Sequence, residues 1–122
     1  MTTTEQRLDT ITRGDTWQLD VTYTSDGDIT GAAITATWRD ADDGIVFTRR
    51  NLAAGGSAAE CAITNGPSGL FSVYVVAANT TALSIKSGGT ATLQYDVQVT
   101  LVTGPVRTVL AGTQVIRGDV TR

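Results

Sequence analysis

The side chains that most often carry out catalysis are scarce in this sequence. Histidine is absent, so Ser-His-Asp and Cys-His nucleophile systems cannot form, and zinc sites built from Cys and His are excluded in practice. The two glutamates are Glu5 and Glu60, and most aspartates fall in predicted turns or on the polar side of predicted strands. A general acid needs a raised pKa, which requires burial or a nearby like charge. We therefore expect no enzymatic activity, no small-molecule substrate and no cofactor.

Aspartates cluster between two predicted strands, at residues 40–44, and Asp26 and Asp28 lie in the preceding turn. Carboxylate oxygens are the ligands that calcium prefers, and residues 40–44 resemble half of an EF-hand loop. The position at which that loop has a ligating Glu is occupied by Asn51, and no flanking helices are predicted. We therefore interpret the cluster as Asp-rich hairpin turns and expect no bound metal.

Cys61, Trp17 and Trp38 are interpreted as core residues. A single cysteine cannot form an internal disulfide, and Cys61 shares the strand parity of Ile63. The two tryptophans could form a carbohydrate platform, but both occupy apolar positions of their predicted strands, and large aromatics commonly anchor a sandwich core. The aromatic residues that we expect to be partly exposed are Tyr23, Tyr74 and Tyr95.

The tripeptide Arg-Gly-Asp occurs twice, at residues 13–15 and 117–119. An integrin ligand needs this motif on an exposed loop tip, whereas each copy here directly adjoins a predicted strand. We interpret both copies as strand boundaries, in which Gly supplies backbone freedom and Asp hydrogen-bonds a neighbouring amide.

Two long stretches alternate apolar and polar residues, at residues 17–24 and 92–101. Strand side chains point alternately to opposite faces, so this period of two indicates a sheet with one buried and one solvent-exposed face. Short strands with turn signals every 8 to 12 residues or so are typical of an antiparallel β-sandwich, here of about seven or eight strands, with a small closed barrel as the alternative. The predicted strands cover residues 16–24, 33–39, 45–50, 60–64, 70–77, 90–102, 106–110 and 112–116, with a bulge or break at Ala111–Gly112 and one short helical turn near residues 79–84.

Composition excludes two classes of partner. The net charge is −3, and among nine basic residues only Arg49 and Arg50 are adjacent, which argues against nucleic acid because its binding depends on clustered Lys and Arg. No apolar run approaches the roughly 18 to 20 residues of a membrane span, and the polar start has no secretory-signal core. We expect a polar N-terminal arm at residues 1–12 and a single β-sandwich domain at residues 13–122.

A series of short motifs runs in a recognisable order along nearly the whole chain. They are RGDTWQL at residues 13–19, ITGA at 29–32, TATWR at 35–39, GLFSV at 69–73, TTAL at 80–83, YDVQV at 95–99, GPVRTV at 104–109, Gly112, and DVTR at 119–122. This order resembles the small immunoglobulin-like virion proteins and domains of tailed bacteriophages, including the N-terminal domain of phage baseplate upper proteins.

The resemblance implies an immunoglobulin-like fold and a role in virion structure. It implies a tail or baseplate accessory protein or adaptor that docks on other virion proteins and on copies of itself. One alternative is a capsid decoration (cement) protein on the head shell, and another is a carbohydrate-binding adhesion module. The expected location is the virion, assembled in the cytoplasm of the bacterial host.

Docking is expected through the N-terminal arm and through sheet edges. The arm is polar and carries few charges, and an open sheet edge offers unpaired amides for strand addition. We expect deletion of residues 2–9 to impair incorporation into particles and to leave the fold intact. The predicted contact residues are Thr2, Thr3, Thr4, Glu5, Gln6 and Arg7 in the arm, and Arg49 and Arg50 at a hairpin end.

Overall fold

The chain folds into two β-sheets in a sandwich-like arrangement, with one short helix. The computed structural model describes residues 4–5, 8, 10–25, 27–42, 44–81, 83, 85 and 89–118. Strands make up more than half of these residues, as the alternating sequence pattern predicts.

Nine strands and two short helical elements follow one another along the described residues. The strands are β1 (Thr4–Glu5), β2 (Ile11–Thr12), β3 (Trp17–Thr22), β4 (Ala33–Arg39), β5 (Ile45–Arg50), β6 (Cys61–Asn65), β7 (Leu70–Val75), β8 (Thr90–Thr100) and β9 (Val106–Arg117). The helical elements are a 3-10 turn at Leu52–Ala54 and α1 (Ala77–Thr81).

The larger sheet has the order β1-β9-β8-β4-β5, and β2 also pairs with β9. The smaller sheet has the order β3-β7-β6. All neighbours are antiparallel except β1 and β2, which both run parallel to β9. The first two strands therefore line one edge of the larger sheet, and β5 forms its opposite edge.

The core lies between the two sheets and centres on Trp38. This side chain is completely buried, and its ring stacks on Phe47 and Tyr95 with centroids 4.6 and 6.1 Å away. Its Nε1–H donates to Oε1 of the buried Gln114 over 2.8 Å. Burying an indole N–H without a hydrogen-bond partner costs free energy. The bond to Gln114 avoids this cost for Trp38.

The helix occupies residues 77–81, earlier than the predicted turn at 79–84. The prediction treated Asn79 as the residue that precedes the helix. Instead, Asn79 Oδ1 accepts the backbone N–H of Val76 over 2.8 Å, so the side chain reaches back from inside the first turn to the residue before it. Val76 is therefore the capping position, and the helix starts at Ala77.

The irregularity in β9 lies at Val109, not at the predicted Ala111–Gly112. Val97 pairs with Leu110 and Gln98 with Thr108, which leaves Val109 as the extra residue. Gly112 pairs regularly with Tyr95, so β9 runs unbroken from Val106 to Arg117.

The expected exposure of the tyrosines was wrong for two of the three. Tyr23 and Tyr95 are buried, and Tyr74 is half-buried. Tyr95 lies on the same side of β8 as Leu93 and Val97, so its parity places it in the core. Burial raises the pKa of Tyr95 to about 12.

Candidate interaction surfaces

The described part of the N-terminal arm lies along the edge strand β9. Thr4 and Glu5 pair with Leu110 and Ala111, and Ile11 and Thr12 pair with Ile116 and Arg117. The predicted contact residues Thr2, Thr3, Gln6 and Arg7 lie outside the described residues. The arm thus covers the backbone edge that β9 would otherwise present.

Two apolar side chains anchor the arm to the core. Leu8 is 4% exposed and Ile11 is 6% exposed, and the Leu8 N–H donates to the Thr113 carbonyl over 2.9 Å. Sequence reasoning missed both residues because they stand in a polar segment without strand periodicity. Two aliphatic residues three positions apart, within a segment of Thr and Asp, were the signal that could have indicated their burial.

A tight turn joins the arm to the domain. The Asp15 N–H donates to the Thr12 carbonyl over 3.0 Å, and Gly14 has φ 91°, a left-handed conformation that favours glycine. Arg13 Nη1 donates to the Leu83 carbonyl over 2.7 Å, and the Gly14 N–H donates to Thr80 Oγ1 over 2.9 Å. The first Arg-Gly-Asp copy is therefore tied to the segment around α1 through its Arg and Gly.

Arg49 and Arg50 are adjacent but have different environments. Arg49 is half-buried, and its Nε donates to the Tyr74 carbonyl of β7 over 2.8 Å, so it links the two sheets. Arg50 is exposed, while its backbone N–H donates to Glu60 Oε1 over 3.1 Å. Of this predicted pair, Arg50 alone presents an exposed side chain at the edge of β5.

The predicted contact residues do not form one compact site. The arm lies at the β9 edge and Arg50 at the β5 edge, with β8 and β4 between them. Neighbouring strands are about 4.8 Å apart, so β1 of the arm and β5, four spacings away in the sheet, are separated by roughly 19 Å. They can serve as two separate contact regions.

The outer face of the larger sheet carries few charges along its two central strands. The outward side chains of β4 and β8 include Arg39 and Asp96, which form an ion pair with N···O 3.7 Å. A groove of about 380 Å³ is lined by this pair and by Gln94, Ala111 and Thr113. The remaining outward residues of β4 and β8 are Ala33, Thr35, Thr37, Thr90, Thr92, Gln98 and Thr100.

The outer face of the smaller sheet holds a compact hydrogen-bonded group. Asp20 Oδ1 accepts from Gln18 Nε2 and from Ser72 Oγ, each over 2.7 Å. Both bonds lower the pKa of Asp20, and the bond from Gln18 has the larger effect. The carboxylate is therefore held ionised near the edge of β3, and Tyr74 lies half-buried on the same face.

Three exposed aliphatic side chains lie at the end of the sandwich where β8 turns into β9, and two of them, Leu52 and Val102, lie beside the segment Gly31–Ala32. Leu52 is 72% exposed, Val102 is 74% exposed and Val106 is 55% exposed. Leu52 lines a cavity of about 290 Å³ and Val102 one of about 150 Å³, and Ala32 lies in both. Sequence reasoning assigned Val102 to a strand and missed this apolar group.

The described aspartates of the two Asp-rich segments close turns, as the sequence predicts. Asp40 Oδ1 accepts the backbone N–H groups of Asp42 and Gly44 over 3.0 and 2.9 Å, and Asp28 Oδ1 accepts the Thr30 N–H over 2.8 Å. Asp26 and Asp43 lie outside the described residues. Over the part of the chain that the structure describes, no three His, Cys, Asp or Glu side chains come together as a metal site would require.

Cys61 is completely buried, as its parity predicts. Burial raises the pKa of its thiol to about 12, so the reactive thiolate form is suppressed at neutral pH. Trp38 is likewise in the core, while Trp17 packs against the core and remains half-buried. No helix within the described ranges is long and apolar enough to cross a membrane.

No known protein family has a model that matches this chain, and no curated protein matches it either.

Proposed function

We propose that the protein is a non-enzymatic structural component of a tailed-phage virion, an accessory or adaptor of the tail or baseplate that docks on other virion proteins. The motif order along the chain supports the virion context. The surface of the larger sheet supports the assembly role, because it is extended, polar and almost uncharged over its centre.

The observation that carries the proposal is the composition of that central face. Covering a surface with a partner removes its groups from water, and the cost is greatest for charges without a partner. On β4 and β8 the outward charges are Arg39 and Asp96, which already neutralise each other. Thr and Gln can exchange water for hydrogen bonds with a protein neighbour, so this face suits a permanent contact.

The strand order supports an immunoglobulin-like topology as part of the same proposal. In this proposal the smaller sheet β3-β7-β6 takes the place of strands B-E-D, and the order β9-β8-β4-β5 takes the place of G-F-C-C′. Trp38 on β4 then occupies the strand that holds the buried Trp of immunoglobulin domains. An experimental structure in which β3 paired with a neighbour other than β7 would contradict this topology.

Detection in particles tests the proposed function. Particles are purified on a density gradient from the strain that carries the gene, and the chain is identified by mass spectrometry and localised by antibody labelling. Labelling at the tail or baseplate supports the proposal. Absence of the chain from purified particles contradicts it.

Copy number separates the tail role from the alternative of a capsid decoration protein. A tail component is expected in tens of copies per particle and a head-shell component in hundreds, because the symmetry of each structure sets the number of sites. The carbohydrate-binding alternative has less support, since Trp38 is buried and Trp17 is half-buried. A glycan array with the purified protein tests it directly.

A further inference from the structure

We propose that the N-terminal arm is exchanged between copies of the protein: it leaves the β9 edge of its own chain and pairs with the β9 edge of a second copy. This inference goes beyond the proposed function, because exchange requires no other virion component. The proposed partner is a second copy of this chain, because the β9 edge already binds the arm of its own chain.

The edge that receives the arm is specific in its chemistry. It offers backbone partners at Leu110–Ala111 and at Ile116–Arg117, and buried sites for Leu8 and Ile11. A strand that fits must place apolar side chains three residues apart while it runs parallel to β9. The arm of a second copy meets every one of these requirements.

The described part of the arm is held by two short strands and by the bond from the Leu8 N–H to the Thr113 carbonyl. The strands β1 and β2 are two residues long each, and parallel pairing is slightly weaker per residue than antiparallel pairing. Short terminal elements of this kind open more readily than the central strands of a sheet. Opening exposes Leu8, Ile11 and the edge of β9 together, which favours recapture by an identical segment.

The turn at Thr12–Asp15 is the hinge. One backbone bond closes it, from the Asp15 N–H to the Thr12 carbonyl, and Gly14 supplies its left-handed residue. After exchange the contacts of the arm with β9 are the same as before, so only the hinge and the protein concentration set the balance. Arg13 and Gly14 are bonded to Leu83 and Thr80 on the domain side, so the part that moves is the segment up to Thr12.

Paired cysteines report the exchange. Glu5 and Ala111 are register partners, and neighbouring strands bring Cα atoms within the range that a disulfide spans. One variant carries Glu5→Cys and another carries Ala111→Cys, both with Cys61→Ala. The two are mixed at high concentration, oxidised under mild conditions and separated on a non-reducing gel. As a control, Thr92→Cys, on the exposed outer face of β8, replaces Ala111→Cys.

Exchange predicts a mixed disulfide dimer of the Glu5→Cys and Ala111→Cys variants, at least about fivefold above the control pair and rising with concentration. The double variant Glu5→Cys/Ala111→Cys provides the comparison within one chain. Closure of its internal disulfide, with no excess of mixed dimer from the single variants, overturns the proposal.

A second measurement is independent of the cysteines. Light scattering coupled to size exclusion of the unaltered protein should show a dimer or larger oligomer that forms as concentration rises. A strictly monomeric protein over the whole accessible range overturns the proposal whatever the gel shows. Neither result bears on whether the chain is present in virions, so failure here leaves the proposed function to its own test.

Discussion

At the scale of single residues, buried polar side chains fix the geometry of the sandwich. Gln114 is completely buried and accepts the indole N–H of Trp38, and Asn51 is buried with both ends of its amide bonded. Gln114 ties β9 to β4, which are distant in sequence, and Asn51 ties the end of β5 to the start of β4. These side chains specify the register of the core, whereas apolar residues supply its cohesion.

Gln114→Leu should lower the free energy of unfolding by about 1–3 kcal/mol, because it leaves the Trp38 N–H buried without this acceptor. Urea unfolding followed by circular dichroism measures the change. The double variant Trp38→Phe/Gln114→Leu should lower the free energy of unfolding by less than the sum of the two single variants, because both single variants lose the same hydrogen bond. Full additivity would contradict the importance of the pair.

Asn51→Ala should lower the free energy of unfolding by at least about 2 kcal/mol. Its Oδ1 accepts from the Ile34 N–H, and its Nδ2 donates to the Ala32 carbonyl, each over 2.9 Å. Asn65→Ala is the matched control, because the Asn65 side chain accepts the Ser68 N–H in an exposed turn. Equal losses in the two variants, measured by urea unfolding, would contradict the role given to Asn51.

The lowered pKa of Asp20 predicts a loss of stability in acid. A carboxyl group whose folded-state pKa is depressed stabilises the fold above its unfolded-state pKa, and this contribution is lost as pH falls through the folded-state value. The bonds from Gln18 and Ser72 cause the depression. The urea midpoint of the native protein should therefore fall below about pH 4, and Asp20→Asn should flatten that decline. Gln18→Leu, which removes the bond from Gln18 to Asp20, should flatten the decline in the same direction.

At the scale of elements, strands with a long alternating pattern were predicted closely. The bounds of β4 and β5 match the prediction: β4 has a period of two, and both strands adjoin the Asp-Gly turn that joins them. Two-residue strands have no period to detect, so β1 and β2 were not predicted. Parity could separate Arg49 from Arg50 on opposite faces, but only the packing of β5 against β7 shows that Arg49 reaches the Tyr74 carbonyl.

Leu8→Ala should lower the free energy of unfolding by about 2–3 kcal/mol, in the range of core Leu→Ala changes, although it lies within the predicted arm. The reason is that its side chain is buried while its N–H bonds the Thr113 carbonyl of β9. Thr10→Ala, at an exposed neighbouring position, should change it by less than about 0.5 kcal/mol. If both variants unfold like the native protein, Leu8 does not belong to the cooperative core. Deletion of residues 2–9 removes Leu8, so we now expect it to weaken the fold, which revises the intact fold expected from the sequence.

At the scale of the whole molecule, the sandwich separates its contact regions. The arm lies at one edge of the larger sheet, Arg50 at the other edge, and a polar face with a neutral ion pair lies between them. The apolar side chains Leu52, Val102 and Val106 stand apart at one end. A molecule with this distribution can contact several neighbours at once, which suits a component of a larger assembly.

Under the proposed function, Gln98→Lys should reduce incorporation into particles at least about tenfold, because it places an unpaired charge on the central face of the larger sheet, where burial costs several kcal/mol. Thr22→Lys, exposed on the smaller sheet, is the matched charge control. Both proteins should unfold at similar urea concentrations. Equal incorporation of the two variants, quantified by mass spectrometry of purified particles, would show that this face is not the one covered.

The parallel strands at the rim of the larger sheet also bear on solubility. A bare terminal strand is a template on which further chains stack into fibrils, and natural β-proteins cap such rims. Here the protein caps one rim with its own leading residues along β9. Proteolytic removal of the N-terminal arm would expose the β9 edge. The shortened chain should then precipitate more readily than the full chain.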